Sequence, residues 1–207
     1  MDGTNEDPFV WSRPWLYSYC KAANLRRKRQ NTGPYVTEGS IIVFADKEQA
    51  KQGSLLIDTV FHVEAVHIWD GGHPPCSLPA SMLARGHQAF KRHLRFGMPG
   101  QSNHTGSYTY SAAKLKRFGG SGSFIPIGES GEKISIPFSL LRRDLQVKLD
   151  THLRYRRLPP ILLTREEIGE ILELTWERTS HAVTSIQEAG GRTRDQIANK
   201  NCVKAGC

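Results

Sequence analysis

LLIDTVFHVEAVHIW, residues 55–69, is the stretch on which the fold turns. Its odd positions (Leu55, Ile57, Thr59, Phe61, Val63, Ala65, His67 and Trp69) are mostly apolar, whereas Asp58, His62 and Glu64 sit at even ones. Side chains of a strand repeat every two residues, so this pattern predicts one long antiparallel strand with a single face on the core. A strand of that length is expected to bend or bulge somewhere.

Working outward, Ser40–Ala45 (SIIVFA) reads as a short buried strand behind the turn-rich stretch 31–39 (NTGPYVTEG), and 46–53 is a polar connection. Further upstream Trp15, Tyr17 and Tyr19 alternate at strand spacing and lead into Arg26–Arg29. Downstream, Gly71–Pro79 breaks the long strand, 80–94 reads as a helix weakened by Gly86, and Gly106–Tyr110 as a short strand. Phe124–Ile127 and Ile134–Phe138 form two strands joined by a turn containing Gly128 and Gly131, and Ser139–Leu149 is a turn or short helix. Beyond Pro159-Pro160, Thr164 and Glu167 make a capping box. It opens a long C-terminal helix with Ile168, Ile171, Leu172 and Thr175 on one face, stopped by Gly190-Gly191. Strands first, a helix, more strands and a long helix predict an α+β fold with a mostly antiparallel sheet or small barrel. A single domain over 1–190 and a basic tail over 191–207 complete the expectation.

Of the 207 residues, 38% are hydrophobic and 23% charged, which is the balance of a globular protein and not of a disordered one. The net charge of +8 favours a polyanionic partner, nucleic acid or nucleotide before an acidic membrane surface. No apolar run is long enough to span a bilayer, and the polar start MDGTNEDPFVW is neither a secretory signal nor a transit peptide. Cys20, Cys76, Cys202 and Cys207 make no CxxC pair, so a reducing, cytoplasmic setting is expected.

Two groups of residues carry chemistry. Trp15, Tyr17 and Tyr19 with Lys21, Asn24, Arg26 and Arg27 supply faces that stack on a base, an amide that reads its edge, and cations that neutralise phosphate. The same residues equally describe a strand burying its aromatics ahead of a solvated basic loop. Asp58, His62 and Glu64 align by period two and suit acid–base work, yet the solvent face of an antiparallel strand looks the same. His67 falls on the other face from His62. His73, His87, His93 and His104 have no metal-ligand spacing, so no metal is expected, and no cofactor motif is present. Gly119–Ser123 lacks the GK[ST] of a phosphate-binding loop and reads as a connector or a loop beside a ligand.

The order LYSYCKAANLR, a turn, GSIIVFADK, then LLIDTVFHVEAV resembles the nucleotide-modification-associated domains, the second type in particular, over roughly residues 14–69. The layout is also similar to PUA-like barrels, the EVE, ASCH and YTH groups among them. The resemblance implies a PUA-like small β-barrel with flanking helices whose pocket admits a flipped, modified base, in DNA modification or defence. Carried onto this chain, Tyr17, Tyr19, Lys21 and Arg26 match the aromatic–basic segment, while Asp46 and Lys47 close the first strand. In that reading Asn24 or Asp58 reads the base edge, and Arg26, Arg27 and Lys47 hold phosphate. Two alternatives stand beside it: a nucleotide- or DNA-processing enzyme using Asp58, His62 and Glu64, and a protein-interaction module presenting the helix over 164–189.

Overall fold

The computed structural model describes residues 15–17, 36–46, 50–68, 108–115, 122–153 and 161–184. Along the chain these form β1 (Leu16–Tyr17), β2 (Ile41–Ala45), β3 (Ser54–Ile68), β4 (Tyr108–Ala112), β5 (Ile125–Ile127) and β6 (Ile134–Pro137). A 3₁₀ turn (Phe138–Leu140), α1 (Arg143–Leu153), α2 (Arg165–Arg178) and β7 (His181–Val183) follow. The fold is mixed α and β with antiparallel pairing, and among the described residues the strands do not close into a barrel. Contacts divide the chain into two compact units, one of Met1–Ser40 with His62–Gly122, the other of Ile41–Phe61 with Ser123–Cys207. β3 contributes to both.

In β3 the expected alternation is realised, with Leu55, Ile57, Thr59, Phe61 and Val63 all buried. Val60 is buried as well, which gives three covered residues in succession where its N–H and carbonyl both pair with Phe124. A backbone group left unpaired in such a place would cost about 1–3 kcal/mol, so a local partner is needed.

In the first unit β4 pairs with β1 (Leu16 opposite Ser111, Tyr17 opposite Tyr110) and with the second half of β3. Val63 stands opposite Ala112 but Ala65 opposite Ser111, so β3 carries an extra residue there, the exposed Glu64. That is the expected bulge. A second irregularity lies on the other side of Val63. Its N–H donates to the Ser40 carbonyl at 2.8 Å while its own carbonyl accepts from the Gly39 N–H at 2.9 Å. Two residues therefore oppose one, and the first of them, Gly39, has φ +83°, the left-handed geometry that a bulge of this kind asks of glycine. The Ser40 N–H closes the preceding turn onto the Thr37 carbonyl at 3.0 Å.

Gly122 is constrained differently. A Cβ there would collide with the Leu115 main chain and lie 2.7 Å from the Lys114 carbonyl oxygen. The end of the glycine-rich stretch is thus a packed approach of two backbone segments.

In the second unit the first half of β3 pairs with β6 from Ser54–Pro137 to Ile57–Ile134. β5 and β6 flank the expected turn, held by the Gly128 N–H on the Glu132 carbonyl at 2.8 Å. Leu145 and Leu149 give α1 its buried stripe, with buried Leu141 just ahead of it, so the segment expected as a turn or short helix is a 3₁₀ turn followed by an 11-residue helix. α2 begins where the capping box predicts, with the Thr164 hydroxyl accepting from the Glu167 N–H and the Glu167 carboxylate accepting from the Thr164 N–H.

Its end differs from expectation. The helix stops at Arg178, where the Thr179 N–H turns back to the Trp176 carbonyl at 3.1 Å, and His181–Val183 becomes a strand paired with β5. The Ser180 N–H on the Ile127 carbonyl at 3.0 Å starts that pairing. Pairing with a distant strand satisfies the short HAV segment better than another helical turn would. The buried stripe of α2 is Glu167, Ile171 and Thr175, with Ile168 and Leu172 only half-buried. The expected helix over 80–94 and the tail over 191–207 lie outside the described residues.

Gly122→Ala should lower the unfolding midpoint by the equivalent of about 1–3 kcal/mol, the usual cost of overpacking. Gly128→Ala, whose Cβ meets only the movable Glu132 side chain, should cost far less. Thermal melts of the two variants check this contrast. Thr164→Ala should cost about 1 kcal/mol through the lost cap and Thr164→Ser much less, read from urea midpoints.

Candidate functional site

Of the aromatic–basic group, the structure describes two members. Trp15 is 5% exposed, and its carbonyl accepts from the Ala112 N–H at 2.9 Å. Its indole belongs to the core of the first unit, where it anchors the chain beside β4. Tyr17 lies on β1 opposite Tyr110. Tyr19, Lys21, Asn24, Arg26, Arg27 and Lys47 lie outside the described residues. Asp46 is exposed at the end of β2, with its N–H on the Leu56 carbonyl at 2.9 Å.

The group on β3 is separated by its own backbone. Asp58 and His62 are four residues apart, which at about 3.3 Å per residue leaves roughly 13 Å between their Cα atoms. A carboxylate and an imidazole at that spacing cannot pass a proton directly. Asp58 instead continues the β3–β6 ladder: its Oδ1 meets Lys133 Nζ at 3.1 Å, with the two side chains 20% and 21% exposed. Its Oδ2 accepts from the hydroxyl of Thr59, a fully buried residue, at 3.1 Å. The carboxylate therefore neutralises a cross-strand cation and satisfies a buried donor. His62 is half-buried beside the bulge, its carbonyl accepting from Ala113 N–H at 2.8 Å, and Glu64 is exposed at the bulge itself. Among the described residues no three His, Cys, Asp or Glu are grouped so as to hold a metal ion.

One polar pair was not foreseen. His67 Nε2 lies 3.0 Å from Ser111 Oγ, and the two residues are 6% and 3% exposed. His67 stands opposite Thr109 on β4, so Ser111 is its diagonal neighbour, within reach of a long side chain. Burial lowers the His67 pKa, which keeps the ring neutral at physiological pH. An imidazole and a hydroxyl at this distance have the spacing of base and nucleophile, but the cover over both makes them a mutually satisfied core pair. The sequence placed His67 on its own face of the strand and offered no sign of Ser111, 44 residues away.

In the second unit two ion pairs join the helices. Lys148 Nζ on α1 reaches Glu167 Oε2 on α2 at 2.6 Å. Arg142, just before α1, gives its N–H to Glu170 Oε1 at 2.6 Å and its Nε to Oε2 at 2.8 Å. The Lys148 hydrogen bond, with the Thr164 N–H as a further cause, holds the Glu167 carboxyl below its usual range. The bond from Glu170 raises the Arg142 pKa further.

Among the described residues no helix is long and apolar enough to cross a membrane. Comparison with family models, with curated proteins and with solved structures finds no match to this chain.

Two outcomes follow from these pairs. His67, with its pKa lowered on folding, stabilises the first unit fully above its unfolded value near 6.5, and that contribution is lost as pH falls below it. Glu167, also lowered, stabilises the second unit above its unfolded value near 4.5 and loses that contribution only below it. Amide spectra recorded from pH 7 to 4 should show the β3–β4 region weakening first, and His67→Gln should remove the upper step. For Asp58 and Lys133, a double-mutant cycle with Asp58→Asn and Lys133→Met should give a coupling of about 0.2–1 kcal/mol, the range for opposed charges across strands.

Proposed function

We propose that this chain is a nucleic-acid or nucleotide binding protein that recognises a base, modified in its natural target, in a PUA/EVE-like pocket, as part of DNA modification or defence. The observation that carries the reading is the net charge of +8, with Lys and Arg gathered in short runs along the sequence. A uniformly basic surface serves solubility alone, whereas cations concentrated in a few segments such as Arg26–Arg29 and Arg154–Arg157 suit contact with phosphates. The resemblance of residues 14–69 to nucleotide-modification-associated domains adds the base-reading element.

With Trp15 buried, stacking falls to Tyr17 and Tyr19. Asn24 then reads the base edge, and Arg26, Arg27 and Lys47 hold phosphate. Extruding a base costs a few kcal/mol, and stacking at about 1–3 kcal/mol per base with several charged contacts offsets it. The enzyme alternative has less support, because the Asp58 oxygens already serve Lys133 and Thr59. The helix-presenting alternative is weakened too, since α2 turns Ile171 inward and packs Trp176 edge-on against Phe124 at 5.1 Å.

A binding screen of modified and unmodified oligonucleotides tests this reading. Three or four phosphate contacts should make affinity fall roughly 20- to 150-fold between about 50 and 200 mM salt. Tyr17→Ala should weaken binding without changing that slope, and Arg26→Ala should reduce the slope by about one contact. Binding that ignores salt, or equal affinity for all variants, would overturn the proposal.

A further inference from the structure

We draw no further inference here: the strongest candidate, the acidic face of α2 formed by Glu166, Glu170, Glu173 and Glu177, is a cluster of carboxylates with no second observation to name what would bind it.

Discussion

β3 must bury one face while giving its backbone groups to β4 and β2 and, over its first half, to β6. Leu55, Ile57, Phe61 and Val63 lose their water, at about 1.5–3 kcal/mol of stabilisation for each large side chain. That gain survives only if the buried N–H and carbonyl groups along the same strand stay paired. β6 pairs with Ser54–Ile57, Phe124 with Val60, β4 with Val63–Ile68, and Gly39 and Ser40 with Val63 from the turn before β2. Both irregularities meet at Val63: Gly39 and Ser40 oppose it on one edge, and Glu64 is the extra residue within the β3–β4 ladder on the other.

The ion pairs show the same economy of placement. Asp58 meets Lys133 in register with the β3–β6 ladder, so the pair opposes a slip of one residue, which would set like with unlike along the whole ladder. Glu167 caps its own helix and takes Lys148 from α1, so one carboxylate serves local and tertiary structure together. Acidic side chains are thereby absorbed into the framework. The functional reading rests on the chain's net charge of +8.

Features with a local cause were legible in the sequence. The period-two pattern of residues 55–63, the Thr164–Glu167 box and the turn between β5 and β6 depend on neighbours within a few residues. Each appears where it was expected. What escaped depends on distant chain. The helix beginning at Arg165 ends at Arg178 because β5 recruits His181–Val183, and no residue between 178 and 190 announces that partner. Asp58 read as a candidate acid until Lys133 arrived from 75 positions away. Trp15 read equally as stacking platform or core, and only its position beside Ala112 decides for the core. The aromatic–basic segment beyond Tyr17 lies outside the described residues.

Native-state hydrogen exchange tests the central role of β3 most directly. The Val60 and Val63 amides, bonded to the Phe124 and Ser40 carbonyls at 2.9 and 2.8 Å, should be among the slowest in the protein, each exchanging only with global opening of its own unit. Exchange at those two amides as fast as at exposed Glu38 would contradict a fold organised around this strand.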